Sequence, residues 1–259
     1  MVLQNEARSL RLLDSLQEKK EYLLSLGVDR VEVMDFSREF SRLSAGDYLR
    51  DVVIGRYAGT AIVLGYDNRM GSDGLSHDGI VPLAKSMGLD VIEPEAIKSP
   101  EGGKTAPVSS TRIRKALEDG DVSGAASMLG RLYRLHGVVI AGNRLGRTMG
   151  FPTANMQLYE PLKMLPANGV YLVEVETLGR KFYGMTNIGV RPTVAGSGSR
   201  TIETHIFDFS EMIYGLDIKL GFIRKIRDEK RFASLDELKL QLKEDELVCR
   251  RCMEEGADE

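Results

Sequence analysis

Residues 142–155 read GNRLGRTMGFPTAN. Three glycines recur at even spacing, Gly142, Gly146 and Gly150, with Arg144 and Arg147 among them. Glycine lets backbone N–H groups approach a phosphate with no Cβ in the way, and it permits positive φ. The two guanidinium groups supply fixed positive charge for the same anion. Pro152 stiffens the chain just before Thr153 and Asn155. On an extended segment, residues two apart point to one side, so the Thr153 hydroxyl and the Asn155 amide fall together. Two hard oxygens suit Mg²⁺, which takes one or two protein ligands plus phosphate oxygens. A plainer reading of the same residues is a basic hairpin turn leading into a buried strand. Spacing alone leaves both open.

Composition bounds the rest of the chain. Its 259 residues suggest one large or two ordinary domains. Hydrophobic content of 42% and charged content of 28% describe a globular protein able to build real cores. A formal charge of −3 leaves no dominant basic face, which argues against nucleic acid as a partner. Any anion site is therefore local. No apolar run approaches a membrane span, and the opening residues do not read as a charged-then-apolar leader. The two cysteines, Cys249 and Cys252, have no second pair to complete a zinc site, so free thiols are expected. A reducing, cytoplasmic location follows as the simplest expectation.

Before residue 130, helical and extended patterns alternate. Residues 12–26 place Leu12, Leu13, Leu16, Tyr22, Leu23 and Leu26 at helical spacing and stop at Gly27. Residues 30–36, with Val31, Val33 and Phe36, predict a strand. Ser44 predicts the cap of a helix to about residue 57, with Asp47 in the capping-box slot. Residues 60–65 are the apolar, β-branched run of a buried parallel strand. A polar loop over 66–78, a helix over 79–87 and a short strand over 89–93 follow. Strand, helix and strand at these spacings imply a parallel α/β sheet. Residues 98–108 predict a plain loop. Its GGKT at 102–105 imitates the end of a phosphate loop, but Lys98 stands where the opening glycine belongs. Ser109 or Ser110 then caps a helix through Leu117, and a second runs to Leu129.

From residue 131 the pattern changes to strands and glycine turns. Residues 133–140, 169–177, 181–188, 201–207 and 216–222 predict strands, and their number and spacing predict a closed barrel. Ser234 predicts the cap of a last helix over 235–253, expected to dock through Leu235, Leu238, Leu242 and Leu247. In the strand around 203, Thr201, Glu203 and His205 share one face, and Ile202, Thr204 and Ile206 the other. The isoleucines predict the core side, so Glu203 faces solvent or a pocket. An ordinary exposed carboxylate is the plain alternative. His205 reads as a structural hydrogen-bonding residue, and His77 and His136 as surface or capping residues.

The string Gly150-Phe151-Pro152-Thr153-Ala154-Asn155 resembles the PTAN signature of riboflavin kinases. The resemblance runs on through Gly169-Val170-Tyr171, Asn187-Ile188-Gly189 with Arg191-Pro192-Thr193, and Thr201-Ile202-Glu203-Thr204-His205. It ends in Tyr214-Gly215 and Arg227-Asp228-Glu229-Lys230-Arg231-Phe232. It implies a β-barrel kinase that passes the ATP γ-phosphate to the riboflavin 5′-hydroxyl with Mg²⁺, giving FMN. It also implies a role for each matching residue. Glu203 is the general base, because the hydroxyl must lose its proton as it attacks. Thr153 and Asn155 hold Mg²⁺ and ATP. Gly142, Arg147 and Gly150 cover the nucleotide phosphates. Asn187 and Arg191 shape the flavin pocket.

Upstream, Gly65-Tyr-Asp-Asn-Arg-Met-Gly71 resembles the GFDFRFG segment of the adenylyltransferase half of the bacterial bifunctional riboflavin kinase/FAD synthetase. Ser109-Ser110-Thr111-Arg112-Ile113-Arg114 resembles its SSTxIR segment. The matching positions are Asp67, Asn68, Ser110, Thr111 and Arg114; hydroxyls at a helix N-terminus suit ATP phosphates. Asn68 and Met70 each stand where the family segment has an aromatic residue, which weakens flavin stacking. The family's Gly-x-Phe-Asp-Gly-Val-His-x-Gly-His segment has no match, since the three histidines are His77, His136 and His205. The expectation is an incomplete Rossmann-like α/β nucleotidyltransferase region with a parallel sheet over residues 1–129. A β-barrel riboflavin kinase domain with a C-terminal helix is expected over 130–259. The expected activity is FMN formation without appreciable FAD formation, with no nucleic-acid or membrane partner. Two alternatives stand beside it: the full bifunctional enzyme, and a non-catalytic flavin-binding regulatory module.

Overall fold

The computed structural model describes residues 11–101, 104–142, 146, 149–191 and 199–255. Packing groups residues 20–108 into one unit, and residues 11–19 with 109–255 into another. The first described helix, α1 (Leu16–Ser25), starts later than its apolar spacing predicts. Ser15 caps it by accepting the Glu18 N–H, while Leu12 is drawn into a bridge with Lys163. Gly27, at φ +89°, ends it as expected.

In the first unit, residues 30–36 form no strand. A strand exists only in a ladder, and no described residue pairs with them; Val33 and Phe36 are more than half exposed. Ser44 caps α2 (Ala45–Asp47) as expected, accepting the Asp47 N–H at 3.1 Å and donating to its carboxylate at 2.6 Å. The helix runs on as a π-helical segment, Tyr48–Arg56. The predicted βαβ pattern is present: β1 (Ala61–Val63) pairs in parallel with β4 (Asp90–Ile92) across α3 (His77–Ser86). Within the expected polar loop lies a two-residue hairpin of β2 (Arg69–Met70) and β3 (Leu75–Ser76). Leu49, Ala84 and Leu89 form the buried core of this unit. The expected plain loop at 98–108 is instead a hairpin of β5 (Lys98–Glu101) and β6 (Lys104–Pro107); Gly102 and Gly103 lie outside the described residues.

In the second unit, α4 (Ser110–Asp119) and α5 (Val122–Leu129) are capped by Ser109 and Asp121 and end on left-handed Gly120 and Gly130. They pack with the barrel, where the Ser123 hydroxyl donates to the Ile223 carbonyl at 3.0 Å. The boundary expected at 129/130 is a proposal about family domains, distinct from this packing. Six antiparallel strands close the barrel: β7 (Tyr133–Ile140), β8 (Ala154–Leu158), β9 (Gly169–Thr177), β10 (Arg180–Arg191), β11 (Ser199–Ile206) and β12 (Asp217–Arg227). They run around it in the order β10-β11-β8-β7-β12-β9, with β9 returning to β10. Alternation decides which side chains fill it. Tyr133, Leu135 and Val139 of β7 are buried, whereas their neighbours Arg134, His136 and Val138 are half-exposed. Edge-on contacts of Tyr171 with Phe222, and a tilted one of Tyr133 with Phe222, occupy the interior.

The C-terminal helix α6 (Leu235–Glu255) starts at the Ser234 cap, whose hydroxyl oxygen accepts the Glu237 N–H at 3.2 Å. It docks through a stripe that keeps Leu242 of the predicted four leucines but not Leu235 or Leu247. Leu242, Cys249, Cys252 and Met253 pack on Val170, Leu172, Met185 and Phe207, while Leu235 and Leu247 are more than half exposed. Asp245 sits in that buried stripe because Arg227 meets it with two guanidinium nitrogens, at 2.8–3.0 Å.

Candidate functional site

The segment leading into β8 is shaped by its glycines. Phe151 N–H donates to the Gly146 carbonyl at 2.8 Å, and a Cβ on Gly146 would overlap the Phe151 oxygen. Gly150 is left-handed at φ +86°, as the turn requires. A Cβ on Gly142 would overlap the Asn155 side-chain amide, so the missing side chain leaves the space that Asn155 fills. Pro152 presents its carbonyl to His205 Nδ1 at 2.8 Å. A carbonyl only accepts, so Nδ1 carries the proton, and the ring packs edge-on against Phe151 and Phe207. His205 thus ties β11 to the Pro-Thr-Ala-Asn segment.

Register then aligns three candidate residues across neighbouring strands. Asn155 of β8 lies directly opposite Glu203 of β11, and Glu203 directly opposite Asn187 of β10. Directly opposed residues share a face, with Cβ atoms about 4.5–5.5 Å apart. That face is the outer one, since the next row, Ala154, Thr204 and Thr186, faces inward, with a buried 2.8 Å hydrogen bond between the two hydroxyls. Glu203 and Asn187 are half-buried, and Asn155 is 7% exposed. Glu229 approaches the row from β12's end: a Cβ on Gly189 would meet its Oε1 at 2.5 Å and Asn187 Nδ2 at 3.1 Å. Asn168 donates to the same carboxylate at 3.0 Å.

A cavity of about 370 Å³ opens beside Asn155. Gly142, Thr153 and Asn155 line one wall; Phe209, Met212, Ile213 and Tyr214 line another, with Thr204 and Ile206 between. Glu203 does not line it, being on the other face of β11 from Thr204. Its volume and its mix of apolar walls and few polar groups suit a small organic ligand. The sequence reading missed the wall at 209–214; the signal available was the Tyr214-Gly215 pair, quoted for the resemblance but assigned no site role. Gly215 at φ +75° turns this segment back, its N–H reaching the Val139 carbonyl at 2.8 Å.

Among the described residues no group of three or more His, Cys, Asp or Glu could hold a metal. A neutral hydroxyl and amide oxygen beside a cavity fit Mg²⁺ carried largely by phosphate oxygens. Thr153 and Asn155 are the residues that would hold it. Arg147 and the side chain of Arg191 lie outside the described residues, as do Pro192 and Thr193.

The candidates of the upstream region fall in different units. Asp67 and Asn68 are exposed in the first, where Asn68 Oδ1 accepts the Gly65 N–H and closes a turn. Ser110, Thr111 and Arg114 belong to α4 in the second; Arg114 Nε donates to the Arg11 carbonyl at 3.1 Å. His77 lies 3.2 Å from Glu93. Both cysteines are free thiols. Among the described residues no helix is long and apolar enough to cross a membrane.

The family model for riboflavin kinase matches residues 129–253, and that for FAD synthetase matches residues 1–112. The bifunctional riboflavin kinase/FMN adenylyltransferase of Escherichia coli K12 is 40% identical over 241 residues, covering 92% of this chain and 74% of that protein. The Haemophilus influenzae protein of the same name is 36% identical over 240 residues, covering 92% and 75%. A crystal structure described as a macrolide-efflux protein from Streptococcus pneumoniae superposes with a TM-score of 0.83 at 34% identity, covering 92% of this chain and 75% of that one. The efflux description belongs to that protein; what is shared here is the fold. With two family models along its length and 40% identity across three quarters of a curated relative, the chain belongs to the bifunctional riboflavin kinase/FMN adenylyltransferase family.

Proposed function

We propose that the barrel unit transfers the γ-phosphate of ATP to the 5′-hydroxyl of riboflavin, giving FMN and ADP. One observation carries this reading: Asn155 belongs both to the cavity wall and to the outer-face row with Glu203 and Asn187. The cavity takes the nucleotide, and the outer face beside Glu203, Asn187 and Arg191 takes the flavin. Thr153 and Asn155 stand where donor and acceptor meet and would hold Mg²⁺ on the phosphates. When bound, Mg²⁺ neutralises charge on the transferring group. Gly142 and Gly150 border the phosphate side, and Arg147, outside the described residues, is assigned to the phosphates by the resemblance alone. Glu203 accepts the hydroxyl proton as the oxygen attacks, a role that needs the carboxylate beside the acceptor rather than inside the nucleotide cavity. Positioning and charge neutralisation then suffice without a covalent intermediate. Two free thiols favour a reducing, cytoplasmic setting for this chemistry.

A second reading is favoured by the FAD synthetase match over residues 1–112: adenylyl transfer to FMN as well. Asp67, Asn68, Ser110, Thr111 and Arg114 are its candidate residues. These 259 residues would have to perform it without the family's histidine pair, holding only His77, His136 and His205. Incubation of the purified protein with riboflavin, ATP and Mg²⁺, followed by chromatographic separation of FMN and FAD, tests both. FMN alone supports the kinase reading, and FAD in quantity supports the second. Flavin binding with neither product supports a non-catalytic module.

A further inference from the structure

A dense group of buried charge outside the candidate site lies where residues 11–19 cross the barrel unit. Leu12 N–H donates to the Leu162 carbonyl, and Met164 N–H to that of Leu12, both at 2.9 Å. Ser15 and Glu18 cap the start of α1 reciprocally, at 3.1 Å and 2.7 Å. The cap aims the Glu18 carboxylate at Lys163 Nζ, 2.6 Å away; Asp14 lies 3.6 Å from the same nitrogen and 2.6 Å from Arg131. The Lys163 side chain is 2% exposed, with its ammonium 4.9 Å over the Tyr133 ring. A buried ammonium stripped of its counter-charges is strongly destabilising, whereas an apolar side chain of similar shape there is not. Both carboxylates that face Lys163 come from 11–19.

We propose that residues 11–19 of this chain act as a strap that sets the geometry of the flavin side of the barrel unit. The matched kinase region, 129–253, leaves this strap out. The strap also has a route to the outer-face site. It clamps Leu162 to Met164, and the same loop ends in Asn168. That residue donates to Glu229 and accepts from Arg200 Nε, each at 3.0 Å. Glu18 and Asp14 are therefore positioning residues for the flavin side, a part of the inference that rests on the proposed function.

The test uses the full chain carrying Asp14→Asn with Glu18→Gln, and the same pair with Lys163→Met added. Hydrogen exchange at Leu12 and Met164 is expected to speed up by about 10²-fold or more in the double variant and to return toward wild type in the triple. Riboflavin affinity, read by quenching of flavin fluorescence, is expected to weaken in the double variant and recover in the triple. Unchanged exchange in the double variant overturns the strap. Fast exchange with unchanged flavin affinity overturns the positioning half. Should the double variant fail to fold, a folded triple supports the strap and an unfolded triple overturns its charge basis. Absence of FMN formation by the wild type would count against the kinase reading and leave the exchange result standing.

Discussion

Asn155 is held in place by something that is absent, the side chain of Gly142. Gly142→Ala is expected to push the Asn155 amide out of its space, because the new Cβ would overlap it. Misplacing such a group costs about 10²-fold in turnover, while the thermal midpoint moves little, since the glycine lies in no buried core. Steady-state kinetics beside a melting curve checks this; a large fall in midpoint at full activity would reassign Gly142 to stability. Glu203→Gln keeps size and hydrogen bonding but removes the base. Turnover is expected to fall by about 10²–10⁴-fold with substrate binding nearly unchanged, and a loss of only a few-fold would remove Glu203 from the proton-accepting role. Both residues are candidates that the sequence alone puts forward. What was not legible is that Glu203 and Asn155 face each other across two strands, while the cavity lies on the other side of β11. Periodicity assigns a face to a residue, but only strand register assigns it a neighbour.

The C-terminal helix shows how element-scale patterns mislead. Of the four leucines expected to dock, Leu242 does, yet Leu235 and Leu247 are exposed and Cys249 is fully buried instead. The true stripe includes Asp245, a charge that no hydrophobic pattern would place inside. It becomes acceptable there only because Arg227, on β12, supplies a matching fork. Asp245→Ala is expected to destabilise the barrel unit by about 3–5 kcal/mol, since it leaves Arg227 partly buried and uncompensated. Urea denaturation followed by a barrel-specific probe measures it, and Arg227→Met combined with Asp245→Leu is expected to lose less than the single change. The same helix predicts unequal thiols. Burial, then the neighbouring Asp245, pushes Cys249 up to about 12, so it stays a neutral thiol at pH 8. A disulfide reagent is therefore expected to modify Cys252 rapidly and Cys249 only on unfolding; equal rates in the native protein would contradict this burial.

At the scale of the whole molecule, the two units differ in how their backbones are satisfied. The barrel closes on itself and leaves no edge among its six strands. In residues 20–108 the described sheets are two-stranded, and Val63 and Ile92 lie more than half exposed on the parallel pair. Amide exchange is expected to be faster in that unit than in the barrel, measured residue by residue on the intact chain; uniformly slow exchange across both would contradict it. The sequence by itself determined the class of each half: the βαβ alternation, the glycine-separated strands, the helix caps at Ser44, Ser109 and Ser234, and the string whose resemblance named the chemistry. These are local signals, carried by residues a few positions apart. Only the tertiary structure decided that residues 30–36 form no strand, that α4, α5 and the segment 11–19 belong with the barrel, and which face of β11 meets the cavity. Each of those depends on a partner distant in the chain, a ladder neighbour or a counter-charge such as Glu18 for Lys163, and no local pattern encodes which distant group arrives.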